Sequence, residues 1–318
     1  MAVYTDVSFE DLEVVLADYD IGEPRSFKGI AEGIENSNFY LQTDRGAYIV
    51  TLYEKRVRVA DLPFFLTLMA HLATHGIACP LPVRSKSGAY WKELNNRPAA
   101  ILTFLEGMSL RRPEASHCGS AGGALARLHA ASAGFSLARA NALGLEGWRK
   151  LAAATQAGAD TIQSGLAVLI AETLDELASW PTGLPAGVIH ADLFPDNVLF
   201  VEGKVSGLID FYFACNDALA YDIAVMLNAW CFEQDGAFNI TKGKSLLSAY
   251  RHQRELTREE VEALPLLARG AALRFLLTRL YDYLNPDKSA FVRPKDPRDY
   301  IRRLRFHRNV RSATEYGL

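Results

Sequence analysis

No stretch of this 318-residue chain approaches the roughly 20 consecutive apolar residues of a membrane span. The N-terminus lacks the basic and apolar regions of a secretory leader, so a cytoplasmic location without a membrane partner is expected. Cysteine is scarce: Cys79, Cys118, Cys215 and Cys231 are scattered, with no C-x-x-C pair. That spacing speaks against a zinc site or a disulfide framework and for reduced core thiols. Neither sign of charge dominates. The 34 Lys and Arg against 37 Asp and Glu leave a net charge of −3, which gives no electrostatic basis for nucleic acid as a partner. Repeats and low-complexity tracts are absent, as is any G-x-x-x-x-G-K-[ST] phosphate cradle. What remains is a globular composition, 49% apolar and 22% charged, in a chain long enough for two domains.

The first third reads as a small α+β portion. Ser8 is a candidate N-cap, with Asp11 three residues on, for an amphipathic helix to Tyr19 whose stripe is Leu12, Val15, Leu16 and Tyr19. Strand-like runs follow at Phe27–Ile30, Asn38–Gln42 and Ala47–Tyr53. Asp61–His75 is a second helix with Gly76 as its stop. Cys79–Val83, with two prolines, must be extended, and Arg97–Leu105 is a final strand. The domain boundary is therefore expected at 105/106, giving domains 1–105 and 106–318. Beyond it the chain is mainly helical: Ala121–Ala131, Gly165–Trp180, Leu219–Trp230, a helix containing Leu246–Tyr250, and a long helix from the Thr257/Glu260 capping box to Leu284. Asn285–Pro297 is a loop, and Arg298–Val310 a closing basic helix read as a solvated face.

The chemistry concentrates between Val188 and Asp210. A short apolar run delivers His190 and Asp192 to a turn shaped by Pro195 and Asp196 and closed by Asn197. A strand leaves as Val198–Phe200, turns at Glu202-Gly203-Lys204, and returns as Val205–Ile209 to end in Asp210. The hairpin brings Asp192, Asn197 and Asp210 together in space. Phosphoryl transfer needs a carboxylate to orient and deprotonate an attacking hydroxyl, and oxygen ligands for Mg²⁺ on the nucleotide phosphates. His-x-Asp, an Asn five residues later and a hairpin ending in Asp-Phe match the catalytic-loop and metal-loop pattern of kinases.

On these residues the segment resembles the aminoglycoside phosphotransferase and choline kinase superfamily. The resemblance implies an α+β, bilobal protein-kinase-like fold: a small N-terminal antiparallel-sheet lobe and a larger, mainly helical C-terminal lobe. It implies ATP and Mg²⁺ as cofactors, Asp192 as catalytic base, Asn197 and Asp210 as metal ligands, and His190 as a brace for the loop. Asp222, in Asp222-Ile223-Ala224, corresponds to an Asp-x-Ala that steadies the metal loop, and His129 in Leu125-x-x-Leu128-His129 to a packing and hydrogen-bonding residue beneath the catalytic loop. Ser37 and Asn38 carry over from the turn at Gly29–Asn38 as nucleotide contacts. Phe104 and Leu105, in Ile101–Gly107, carry over as the main-chain site for adenine. One part departs from the pattern. Thr51 stands where kinases place a strand lysine, leaving Lys28, Lys55 or Arg56 as substitutes and keeping a nucleotide-binding pseudokinase as an alternative.

Over most of its length, notably Ile209–Asp217 and Met226–Phe232, the chain is similar to the branch of that superfamily acting on L-homoserine. This implies phosphorylation of a side-chain hydroxyl to give O-phospho-L-homoserine for threonine synthesis. Other small alcohols (choline, methylthioribose, aminoglycosides) are the alternative acceptors. An amino acid needs a cation for its carboxylate. Arg274 and Arg279 are the candidates, about 140° apart on a helix, with Tyr212 and Asn216 as further pocket residues and Trp230 read as a core residue before a pocket one.

Overall fold

The computed structural model describes residues 5–30, 36–54, 57–286 and 294–318. These fall into two compact units, one reaching Glu106 and the other formed by Gly107–Pro286 with Pro294–Leu318.

The first unit is built on one antiparallel sheet with strand order β1-β2-β3-β5-β4. The strands are β1 (Pro24–Gly29), β2 (Ser37–Thr43), β3 (Ala47–Leu52), β4 (Lys92–Leu94) and β5 (Arg97–Thr103). In β2, Ser37, Phe39, Leu41 and Thr43 are buried while the residues between them are half-exposed, the period of two expected of a strand with one covered face. Helix α1 (Phe9–Leu16) has the expected capping box, Ser8 with Asp11. It lays Leu12 and Leu16, with Tyr19 just beyond, onto Phe39, Leu41, Val50 and Ile101. Helix α2 (Leu62–Thr74) buries Phe65, Leu66, Met69 and Leu72, and Gly76 takes the left-handed conformation (φ +79°) that ends it. The segment Cys79–Val83 lies along β5 through Val83 N–H to Ile101 O (2.8 Å) and Thr103 N–H to Leu81 O (2.9 Å), but it is not a ladder strand. Pro80 and Pro82 have no N–H to give, and the edge position falls to Lys92–Leu94.

The second unit carries helices α3 (Ala115–Ala131), α4 (Leu145–Ile162), α5 (Leu166–Glu176), α6 (Leu219–Trp230), α7 (Ile240–Gln253), α8 (Arg258–Leu284) and α9 (Arg298–Asn309). Two short antiparallel pairs sit among them: β6 (Ala186–Ile189) with β9 (Cys215–Ala218), and β7 (Val198–Val201) with β8 (Lys204–Leu208). Helices α3 and α7 meet closely because Gly122 has no side chain; a Cβ there would come within 2.4 Å of Leu246 O. The 27-residue α8 packs against α4, α6 and α9, and its Leu264, Leu267, Leu273, Leu276, Leu277 and Leu280 are fully buried. All four cysteines are buried and unbridged. No helix among the described residues is long and apolar enough to cross a membrane.

Candidate active site

The site grows from one strained peptide. Strand β6 ends at Ile189, and two residues on, Ala191 adopts φ +64°, a region that costs a non-glycine residue of order 1–3 kcal/mol. The conformation is gripped from both sides. Asp222, near the N-terminus of α6, accepts from His190 N–H (2.7 Å) and Ala191 N–H (2.8 Å), while Arg274 from α8 donates to the Ala191 carbonyl. Asp222 is itself bound by His129 Nε2 of α3 at 3.2 Å, and His129 Nδ1 meets Tyr250 OH at 2.8 Å. Burial pushes the Asp222 carboxyl up, yet the hydrogen bond and charge of His129, with those of His190, hold it below its ordinary value. Asp222 thus grips the catalytic-loop turn rather than the metal loop at Asp210, and His129 reaches that turn through Asp222.

The turned chain then presents Asp192. Its side chain is 19% exposed and lies 3.8 Å from Arg274 Nη2. Burial raises its affinity for a proton, opposed by the charges of Arg274, His190 and Lys295. Asn197 closes the turn, its Nδ2 donating to Asp192 O (2.8 Å) and approaching Asp192 Oδ2 (3.4 Å). Two bonds stitch this turn to the end of β8: Ile209 N–H to Asn197 O and His190 Nε2 to Ile209 O, both 3.0 Å. The next residue, Asp210, has φ +65°, a conformation Asp tolerates better than most residues. His190 is therefore the brace between turn and hairpin. Glu202 (φ +48°) and Gly203 (φ +75°) form the two-residue turn at the hairpin's other end.

Asn197 and Asp210 offer one neutral and one charged oxygen ligand. That set is too small for a site made of protein alone, and no cluster of three His, Cys, Asp or Glu suited to a metal occurs among the described residues. It does fit Mg²⁺, which keeps waters and phosphate oxygens in its shell.

The candidate acceptor residues separate. Arg274 is only 2% exposed and is committed to Ala191 and Asp192. Arg279 lies over the Tyr300 ring (4.5 Å) and 4.0 Å from Asp299 Oδ2. Asn216 Oδ1 accepts from Arg139 N–H (2.8 Å), and its N–H donates to Arg139 O (2.7 Å), so the side chain pins a neighbouring loop to β9. Tyr212 is half-buried in the turn Phe211–Phe213 that follows Asp210. Trp230 donates Nε1–H to Leu193 O (2.8 Å), which steadies the catalytic turn from behind.

In the first unit, Ser37 is fully buried. Its hydroxyl donates to Glu54 Oε1 (2.7 Å), and Glu54 Oε2 pairs with Arg97 Nε (3.1 Å). The hydroxyl is thereby used inside the unit. Asn38 Oδ1 accepts from Thr51 Oγ1 (2.8 Å), so Thr51 takes a structural bond where a lysine would carry charge. Phe104 is exposed and edge-on to Tyr40 at 5.4 Å, and Leu105 is half-buried. Lys28 is exposed on β1. Residues 31–35 of the nucleotide turn, and Lys55 and Arg56, lie outside the described residues.

One feature of the second unit was not anticipated. A cavity of about 680 Å³ adjoins the catalytic turn at Pro195 and is walled by Trp230, Phe232, Arg111, Arg112, Lys242 and Arg303 among others. Arg303 belongs to the basic run of α9 read as a solvated face. Only the i, i+3 placement of Tyr300 and Arg303 could have suggested an inward turn.

An aspartate presented on a clamped turn, with an asparagine closing that turn and a second aspartate at the end of the following hairpin, carried on this fold, is the arrangement of a phosphotransferase. The chain belongs to the phosphotransferase enzyme family, whose model matches residues 26–264. It is 59% identical to a homoserine kinase of Bradyrhizobium diazoefficiens over 320 residues, 100% of this chain and 98% of that one. It is 61% identical to a homoserine kinase of Sinorhizobium fredii over 319 residues, again 100% and 98%. Among solved structures it resembles an amicoumacin kinase in complex with AMP-PNP and Ca²⁺ (TM-score 0.69, 15% identity, 96% of this chain and 92% of that one). It also resembles a choline kinase of Cryptosporidium parvum (TM-score 0.67, 16% identity, 94% of each). The fold is therefore the α+β, protein-kinase-like fold that the sequence implied.

Proposed function

We infer that the protein is a homoserine kinase that moves the γ-phosphoryl group of ATP to the side-chain hydroxyl of L-homoserine, the step that supplies O-phospho-L-homoserine for threonine synthesis. The observation that carries the reading is the near-60% identity to homoserine kinases along the whole chain, joined to a turn that presents Asp192 beside Asn197. Asp192 accepts the proton of the acceptor hydroxyl as its oxygen bonds to the γ-phosphorus. The bond from that phosphorus to the bridging oxygen breaks, and ADP leaves with the electron pair. Asn197 and Asp210 would hold Mg²⁺, which when bound offsets charge on the phosphates. Arg274, His190 and Asp222 fix the turn. Main-chain groups at Ser37, Asn38, Phe104 and Leu105 are the proposed nucleotide contacts, and the cytoplasm is the proposed location.

The test is ADP release with L-homoserine, ATP and Mg²⁺. Wild-type turnover, with a fall of at least about 1,000-fold in Asp192→Asn and in Asp210→Asn, is expected for a base and a metal ligand. ATP binding with no turnover on homoserine or on any other small alcohol would return the pseudokinase reading suggested by Thr51, and turnover only on another alcohol would move the acceptor assignment.

A further inference from the structure

The cavity beside the catalytic turn carries more positive than negative charge. Arg111, Arg112, Lys242, Arg302 and Arg303 face Glu233, Asp235 and Asp299 across it, five basic side chains against three acidic ones. Lys242 is paired with Glu233 (2.7 Å) and Arg302 with Asp299 (2.6 Å). Arg112 Nε and Nη2 lie 3.1 and 3.2 Å from the side-chain amide of Gln234, which accepts from them when its oxygen is turned toward them. Arg303 has no carboxylate partner among the described residues. Instead Nη1 donates to Asn228 O (2.7 Å), and the guanidinium lies over the rings of Tyr300 (4.6 Å) and Phe232 (5.3 Å). Two aromatic faces and one carbonyl fix the plane of this group, and no carboxylate among the described residues occupies its donor fork. A planar, pre-set guanidinium lacking an anion is suited to bidentate capture of a carboxylate.

We propose that this cavity is the acceptor site and that Arg303 binds the α-carboxylate of the acceptor, making the enzyme selective for hydroxy-acids over cationic alcohols. The proposal rests on the homoserine kinase reading and adds the residue that reads the substrate. It also reassigns the role considered for Arg274 and Arg279. Arg274 is buried against Ala191 and Asp192, where a second carboxylate would compete with the base. Arg279 is drawn toward Asp299. The surplus of cations disfavours choline or an aminoglycoside, which call for aromatic or acidic walls around their positive charge. Trp230 gives the cavity and the turn a common wall, since it lines the one and bonds Leu193 of the other.

The experiment compares kcat/KM for L-homoserine with that for 3-amino-1-propanol, the same amino alcohol without the carboxylate, in wild type, Arg303→Met and Arg303→Lys. Wild type should prefer homoserine by about 100-fold or more, as sites built to bond a polar group reject analogues lacking it. In Arg303→Met that preference should fall at least about tenfold, chiefly through KM. Arg303→Lys should lie between, since an ammonium lacks the fork. A folded Met variant that keeps the wild-type preference, or that loses both substrates in equal measure, overturns the proposal. If the Met variant does not fold, the Lys variant decides by the same ratio. Absence of homoserine turnover in wild type would instead overturn the acceptor assignment itself, visible before any substitution is made.

Discussion

The left-handed peptide at Ala191 is the most expensive local conformation in the site, and three side chains from different helices share the work of holding it. Asp222 takes both N–H groups that precede Asp192, and its carboxylate leaves no position for a donor to replace an acceptor. Asp222→Asn should therefore turn an amide N–H₂ against an N–H or against His129, costing about 1–3 kcal/mol of stability, the scale for a buried polar group left without a partner. Loosening of the turn should also lower kcat on the order of 100-fold, the scale on which a small misplacement of a catalytic group acts. Denaturant unfolding and steady-state kinetics of the one variant check both. A variant as stable as wild type with unaltered kcat would contradict the clamp. At this scale the sequence was most informative where partners are close in the chain. His190, Asp192, Asn197 and Asp210 lie within one turn and hairpin, so spacing alone brings them together. Arg274 is 82 residues beyond Asp192, and spacing says nothing of which carbonyl it meets. Ser37 shows the converse: a polar residue in a suggestive position whose hydroxyl is spent on Glu54.

Among elements, a buried titratable group ties stability to pH at the C-terminal end. His307 of α9 is fully buried, with Nε2 facing Asn228 Oδ1 (3.1 Å) and Nδ1 facing Tyr316 OH (2.8 Å). Asn228 Nδ2 donates to two carbonyls, Ala224 O and Ala268 O, so its oxygen must accept and the His307 proton sits on Nε2. The ring is thus neutral, and burial, with the charges of Arg303 and Arg269, lowers its pKa to about 3. An unfolded histidine titrates near 6.5. Between these values the unfolded chain binds a proton that the folded chain refuses, so stability falls as pH drops from about 6.5 toward 3. The slope is about 1.4 kcal/mol per pH unit. In His307→Gln the stability lost between pH 6.5 and pH 5 should be smaller than in wild type by about 2 kcal/mol, measured by denaturant unfolding at each pH. Parallel curves for the two proteins would contradict this.

The elements themselves were legible where the apolar pattern is strong or a cap is explicit. Helix α6 spans Leu219–Trp230 as read, and α8 begins at its Thr257/Glu260 box. Helix α4 went unread because only Trp148, Thr155 and Ala159 are buried along its 18 residues, a stripe too narrow and too small to stand out. Strand β9, Cys-Asn-Asp-Ala, has no strand-like composition at all. It exists because Val188 and Ile189 of β6 need a ladder partner, found at Asn216 and Cys215.

For the molecule as a whole, fold and family agree with the His190-x-Asp192, Asn197 and Asp210 pattern, and what is left to specificity is the choice of alcohol. The absent strand lysine is no argument against catalysis in a chain this close to homoserine kinases; Thr51 is used to tie β3 to Asn38. The central claim is a transfer to one hydroxyl, and product identity tests it most directly. Incubated with ATP, Mg²⁺ and an equimolar mixture of L-homoserine, L-serine, choline and 3-amino-1-propanol, the protein should yield one dominant phosphomonoester by ³¹P NMR and mass spectrometry, O-phospho-L-homoserine, with an equal amount of ADP. A different phosphorylated alcohol as the main product, or ADP formed with inorganic phosphate alone, would contradict it.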